Sequence, residues 1–343
     1  MSIKNFGKNL IFLPDATKGA IKFLTTEQIR STGTEGLVVN TLHLLMNLGV
    51  EKMQELGGIK KIMNWNGYVL SDSGGFQVYS LIHSKKWKGS IDENGVTFIS
   101  PKDGLKHLLT PETAIDIQLA IDSDVLVCLD DCRFSEISKK EAELSVERTL
   151  RWAQRCKKHF EKKNLGKKKL LSCVVQGAGY LDLREMCAKE LSKMGFDGYN
   201  FGGYVVNSNG DLVIDEMERV IENIPKEKFK YVMGVGKPND IIKCAEIGYT
   251  VFDTVLVTRN ARHGSLYSFD EKKEEGYLLR IGNVKYSKEQ NPIDSTCDCE
   301  TCKNHSRAYI HYLLKIKEPT GYTLATIHNL RFYQRLIDSL SDG

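Results

Sequence analysis

Residues Val251–Gly264 read VFDTVLVTRNARHG. The first six are mostly apolar and β-branched, as suits a buried strand, yet they include one carboxylate, Asp253. A lone acid in an apolar run is costly unless it has a partner or a task. Arg259 and Arg262 follow three residues apart, in a segment that reads as a polar turn. Either the arginines pair with the acid, or they hold a polyanion while the acid acts on it.

Similar short apolar runs occur upstream at Leu10–Leu13, Leu37–Asn40, Tyr68–Ser71, Val125–Leu129, Leu170–Val175, Gly198–Phe201 and Lys230–Met233. With Val251–Leu256 they make eight candidate strands, separated by amphipathic segments such as Lys139–Phe160, Leu181–Met194 and Pro238–Glu246. Alternating βα units imply a parallel sheet, and eight of them predict an α/β protein of the (β/α)8 TIM-like barrel class. A doubly wound open sheet is the rival, but no G-x-G-x-x-G follows the first strand. The catalytic barrel is expected over residues 1–264, interrupted around 80–110 by a loop with a small hairpin, within which WKGSIDENGVTFISPKDG lies. Residues 265–343 are expected to form a zinc-binding subdomain with C-terminal helices packed on the barrel.

The 343 residues are 41% hydrophobic and 27% charged, an ordinary globular composition. A net charge of +4 favours an anionic partner only weakly. No run of roughly 18 apolar residues suggests a membrane span, and the N-terminal apolar stretch is too short for a signal peptide. The basic run KKHFEKKNLGKKK, Lys157–Lys169, precedes a strand and reads as a solvated helix end away from the barrel mouth. Nine cysteines, three of them clustered, suggest reduced thiols with a metal site and a cytoplasmic protein.

The cluster is CDCETC, with Cys297, Cys299 and Cys302; 25 residues separate Cys302 from His328. Three thiolates and an imidazole would fill a closed tetrahedral Zn²⁺ site, hence a structural ion tying a loop to the start of a distant helix. His305 and His311 are the other candidates for the fourth ligand.

In such a barrel the chemistry sits at the C-terminal strand ends. Those ends carry Asp72 in SDSGGFQ, Asp130 and Asp131 in CLDDC, Gln176 in VVQG, Gly202 and Gly203 in FGGY, Gly234 in MGVG, and Asp253. Singly, each could be a helix cap or a turn residue. As a set they describe a site. The glycines allow close approach of a flat ligand. Asp130 and Gln176 suit the polar edge of a guanine-like base, and Phe76 or Tyr204 could stack on it. Asp72 and Asp253 remain as a carboxylate pair of the kind that performs glycosyl transfer.

Together, DSGGFQ, VVQG, MGVG, FD-x-V-x-x-TRNARHG and C-x-C-x2-C-x25-H resemble the tRNA-guanine transglycosylases over nearly the whole chain. That family exchanges the wobble guanine of GUN-anticodon tRNAs for a free 7-deazaguanine base. The resemblance implies Asp253 as nucleophile and Asp72 as general acid/base, with Asp131 the next candidate. It implies base binding by Phe76, Asp130, Gln176, Gly203, Tyr204, Met233 and Gly234, and anticodon-loop binding by Arg259 and Arg262. It further implies structural zinc on Cys297, Cys299, Cys302 and His328, and a homodimer formed through the zinc region. Where bacterial members usually read GGLAVGE, this chain reads GGYVVNSN, so the glutamate that meets an aminomethyl base is replaced around Asn207 and Ser208, and Val257 replaces a usual proline. The departures put the incoming base in question, whether queuine or its aminomethyl or cyano precursor. Other readings of the same residues are a DNA transglycosylase, a retaining glycoside hydrolase and a non-catalytic tRNA-binding partner subunit.

Overall fold

Inside and outside alternate along every barrel strand with period two, and this alternation places the site. In a computed structural model, which describes residues 3–341 except 85, 101, 103, 134–135, 165–168 and 272–276, eight parallel strands form one sheet. They are β1 (Ile11–Pro14), β2 (Gly36–Val39), β3 (Tyr68–Ser71), β4 (Val125–Val127), β5 (Leu170–Val175), β6 (Gly198–Phe201), β7 (Phe229–Val232) and β8 (Val251–Thr254). Each of β2 to β7 pairs with its successor, and β8 pairs with β1. The seam between β1 and β2 is closed by the parallel bridge Asp15–Val38, beside the 2.7 Å bond from the Ala16 N–H to the Val38 carbonyl. The barrel is nearly closed.

Ile11, Leu13, Val38, Leu70, Val125, Val127, Val174, Tyr231 and Val251 fill the interior as one apolar cluster. Their neighbours Phe12, Leu37, Val39, Val69, Leu126, Val175, Phe201 and Phe252 face outward into the larger core under the helices. The floor is aromatic: Phe6 meets Tyr68 and Phe229 edge-on, with centroids 5.3 and 5.1 Å apart. Gly198, at the start of β6, makes room for that floor, since a Cβ there would lie 2.1 Å from the Phe229 ring.

Three local expectations are corrected. Residues 80–110 carry not a hairpin but a three-stranded antiparallel sheet, Gly89–Ile91, Val96–Ile99 and Lys106–Leu109; the third strand, KHLL, is exposed at Lys106 and Leu108 and has no polar/apolar alternation to mark it. Arg259 and Arg262 lie on a short helix, Leu256–Arg262, not in a turn. Thr254 Oγ1 accepts from the Leu256 N–H at 3.1 Å, and Val257 and Ala261 are buried, so a cap and tertiary packing hold this short segment as helix. His328 sits inside the helix Pro319–Ser341, not at its start, because the helix begins at Pro319. Of the basic run, Lys157–Lys163 end the 25-residue helix Lys139–Lys163, and residues 165–168 lie outside the described residues. No helix among the described residues is long and apolar enough to cross a membrane.

The helix after β8 has only seven residues, and the last helix packs beside it. Leu330, Phe332, Tyr333, Leu336 and Ile337 of that last helix belong to the main core. Tyr333 packs against Phe12, with ring centroids 4.8 Å apart, and donates to the Gly236 carbonyl, and Asn329 Nδ2 bonds the Val257 and Ser265 carbonyls at 3.1 Å.

Gly198→Ala overpacks the floor and should cost about 1–3 kcal/mol in urea unfolding. The cost should shrink in a Phe229→Leu background, since contacting sites couple. Equal costs in both backgrounds would mean that the ring does not set the glycine requirement.

Candidate active site

β8 brings Asp253 to the mouth. Val251 points inward and Phe252 outward, so the next inward position is the acid. Its Oδ1 accepts from the Tyr231 hydroxyl at 2.7 Å and the Gly234 N–H at 2.8 Å, both from β7 and its following turn. Oδ2 takes no hydrogen bond among the described residues. Burial raises the carboxyl to about 6 against these two donors, and Asp15 pushes the same way.

Asp72 follows β3. Its Oδ1 accepts from the Thr41 N–H at 2.9 Å and the Gly74 N–H at 3.1 Å, and Oδ2 from Asn40 Nδ2 at 2.6 Å. The Asn40 Oδ1 also caps the helix Thr41–Leu48 by accepting from the His43 N–H at 2.9 Å. One asparagine therefore locks a helix start to an acid. Burial outweighs the three donors and holds Asp72 at about 7.

Asp130 stands beyond β4, also raised to about 7, by burial first and then by its neighbour Asp131. Gln176 Nε2 donates to its Oδ2 at 2.6 Å. Gly202 permits this: a Cβ there would sit 2.6 Å from Gln176 Nε2 and 2.5 Å from Val174 Cγ1. Asp131 points elsewhere, into ion pairs with Arg133 at 2.8 Å and Arg148 at 2.5 Å.

Asp72, Asp130, Asp253, Phe76, Gly203, Met233, Gly234 and Arg259 line one cavity of about 470 Å³, a size that suits a small organic ligand. Gln176 lies beneath its wall, 2% exposed. Tyr204 stands outside the lining, its ring edge-on to Phe76 at 6.2 Å. Arg262 is also outside it, bonded by Nη1 to the Thr258 carbonyl at 2.8 Å, while Arg259 reaches the cavity.

Several residues the motifs did not single out belong here. Asn40, Thr41 and Tyr231 hold the two acids. Asp15 and His43 line the cavity. Arg184 is buried and, among the described residues, bonds carbonyls and no carboxylate. Its Nε bonds the Ala178 carbonyl at 3.0 Å, and Nη1 bonds the Val175 and Gly202 carbonyls at 2.7 and 2.8 Å. It ties together the turns bearing Gln176 and Gly203. Its signal lay in the helix Leu181–Met194, where it falls on the apolar face with Cys187, Ala188 and Leu191.

Away from the mouth, the ligating atoms of Cys297, Cys299, Cys302 and His328 lie within 4.8 Å of one another, a group that could hold a metal ion. His328 Nδ1 is 3.3 Å from Cys302 Sγ and 3.7 Å from Cys299 Sγ, while Nε2 is 2.6 Å from the Tyr267 carbonyl. That carbonyl fixes the proton on Nε2 and leaves Nδ1 to a metal, as is usual around metal-bound histidine. His305 instead packs against the Tyr309 ring, and His311 bonds the Ile281 carbonyl.

Comparison with known proteins agrees with this geometry. Residues 8–342 match the family described as Queuine tRNA-ribosyltransferase. Proteins of that name from Psychrobacter cryohalolentis and Aeromonas hydrophila are each 41% identical over 332 residues, covering 97% of this chain and 85% of theirs. The one from Buchnera aphidicola is 39% identical over 343 residues, covering 99% and 90%. The chain belongs to the queuine tRNA-ribosyltransferase, or tRNA-guanine transglycosylase, family of pentosyltransferases.

Proposed function

We propose that the cavity exchanges the wobble guanine of a GUN-anticodon tRNA for a free 7-deazaguanine through a covalent ribosyl–Asp253 intermediate, in queuosine formation or salvage. The observation that carries this is the one-sided anchoring of Asp253, with Oδ1 held by two donors and Oδ2 left free beside Asp72's cavity. Oδ2 attacks C1′ of the ribose, the C1′–N9 bond breaks, and Asp72 gives the departing base its proton. Asp72 then takes the N9 proton of the incoming base, whose N9 attacks C1′ and releases Asp253. Asp130, with Gln176 behind it, reads the polar edge of the base, and Phe76 and Met233 face its two sides. Gly203, Gly234 and the Tyr204 segment shape the rim. Arg259 and Arg262 grip the anticodon loop. Three thiolates and one imidazole fit a closed structural zinc site, and the exposed zinc-region surface serves a homodimer.

The incoming base is the open choice within this scheme. An aminomethyl substituent is cationic and favours a nearby anion. In the loop after β6, Asn207 Oδ1 is used within a turn, accepting from the Asn209 and Asp211 N–H groups at 2.9 and 3.0 Å, and Ser208 is exposed. No acid of that loop lines the cavity. We infer that queuine and the cyano base gain on the aminomethyl base here.

Asp253→Asn should bind tRNA yet lose exchange. In the unaltered enzyme, formation of the intermediate should fall about tenfold per pH unit below pH 6, where Asp253 takes up a proton. It should also fall above about pH 7, where Asp72 loses its proton, and this second limb should vanish in Asp72→Asn. A full rate at pH 4.5, or exchange by Asp253→Asn, would contradict the assignment.

Steady-state KM values separate the two binding regions. Arg259→Ala and Arg262→Ala should raise KM for tRNA by a factor corresponding to about 1–3 kcal/mol and leave KM for the free base unchanged. With the parent enzyme, the aminomethyl base should not lead queuine or the cyano base in kcat/KM by more than about tenfold, or 1.4 kcal/mol. A larger lead would mean that the altered loop does not set preference.

Zinc removal or Cys299→Ser should expose amides of Ser265–Tyr267, Leu278–Arg280 and Glu300–Ser341 to hydrogen exchange before those of the barrel strands, because a closed site stabilises folding and does no chemistry. Lost exchange activity in a metal-free protein with unchanged amide protection would overturn the structural role.

A further inference from the structure

Taken around the mouth, the site divides into two arcs. Asp130, Gln176, Gly203 and Met233 follow β4 to β7 in order. Asp72 follows β3 and Asp253 lies on β8, so the two acids flank the remaining arc, which is β1 and β2. If the base lies against β4–β7 while Asp253 meets C1′, the sugar faces β1–β2. This placement of the sugar rests on the function proposed above.

This second arc has one carboxylate that no step of the reaction uses. Asp15 follows β1, and the register puts Leu13 beside Asp253 and Pro14 beside Thr254. Asp15 is therefore the next inward position after Leu13, two residues beyond the one level with Asp253. It lines the cavity at the seam with Val38. Its charge raises both Asp253 and Asp72, as expected of a nearby third acid. Thr17 Oγ1 donates to its Oδ1 at 2.7 Å and the Thr17 N–H also faces the carboxylate, so the donors it has come from the turn just after it. Crowding a third carboxylate between two others opposes their ionisation. Such an arrangement is retained more readily where the carboxylate has a further donor, on the cavity side, to accept from.

The sugar supplies one donor. Inside a polynucleotide the 3′ and 5′ oxygens are esterified, so the 2′-hydroxyl is the only free hydroxyl of the ribose. It sits on the carbon next to C1′, the atom that Asp253 attacks. We propose that Asp15 accepts a hydrogen bond from the 2′-hydroxyl of the exchanged nucleotide, making it a specificity residue that separates RNA from DNA at that position. Recognition of the 2′-hydroxyl is how a protein distinguishes the two polymers, and bonds to the hydroxyl beside the anomeric carbon strengthen as its charge develops.

The test is a two-by-two cycle on guanine exchange. An anticodon stem-loop RNA and the same RNA with 2′-deoxyguanosine at the exchanged position alone are compared in the parent enzyme and in Asp15→Ala, with Asp15→Leu as a second variant. The cycle cancels the intrinsic reactivity of the deoxy sugar. The ribo/deoxy ratio of kcat/KM should fall about tenfold or more in either variant, the size expected for one hydrogen bond to a charged acceptor, with KM for the free base unchanged. A ratio that stays the same while both substrates slow together would make Asp15 only a cap for the Thr17 turn and overturn the proposal. Should neither variant fold, a parent enzyme that exchanges the deoxy substrate as fast as the ribo substrate would overturn it as well. Failure of the parent on the all-ribo stem-loop would instead count against the function itself.

Discussion

Two hydrogen bonds from β7 to one oxygen of Asp253 govern the rest of the site. A carboxylate at the end of an apolar strand is expensive to ionise, and here burial already lifts it to about 6. The Tyr231 hydroxyl and the Gly234 N–H offset part of that cost on Oδ1 and fix the rotation of the group. What remains is a weakly solvated, unbonded Oδ2 at a defined place. For the bonds to exist, β7 and β8 must be adjacent and in register, Tyr231 must point inward, and the chain must turn at Gly234 with φ of +79°. Barrel closure, the glycine in MGVG and the chemistry are thus one constraint.

Asp72 and Asp130 are arranged on different terms. Asp72 receives three donors, two of them backbone, and still titrates near neutrality because burial dominates. Such a group can give and take a proton at neutral pH, as proton shuttling requires. Asp130 has a single amide donor and a second acid beside it. Three carboxylates raised together make the unliganded mouth a source of instability at high pH. Each gives its full stabilising contribution below the ordinary carboxylate range and loses it as pH rises through 6 to 7.

Much of this was legible in the sequence, and what was missed has identifiable causes. All eight strands were visible because barrel strands are apolar on both faces and punctuated by polar ends. The metal group was visible because three cysteines fall within six residues. The helix Leu256–Arg262 was not: seven residues are too few to show a helical period, and its conformation comes from burial against the last helix. The third strand of the inserted sheet, Lys106–Leu109, is too exposed to give a clear apolar pattern. Asn40, Tyr231 and Arg184 act through other residues, and such roles depend on spatial neighbours 22 to 32 positions away or on carbonyls of two separate turns. Asp15 carries no signal of its own in the sequence, because a single acid after a strand reads as a turn residue until its neighbours are known.

The central claim, that Oδ2 of Asp253 forms the bond to the ribose, is most directly tested by mapping the adduct. The enzyme is mixed with anticodon stem-loop RNA in the absence of free base, quenched in acid, digested with protease and nuclease, and read by mass spectrometry. The account predicts one ribosylated peptide, with the modification on Asp253. A ribosyl group on Asp72 or Asp15, or release of guanine with no adduct on the protein, would contradict it.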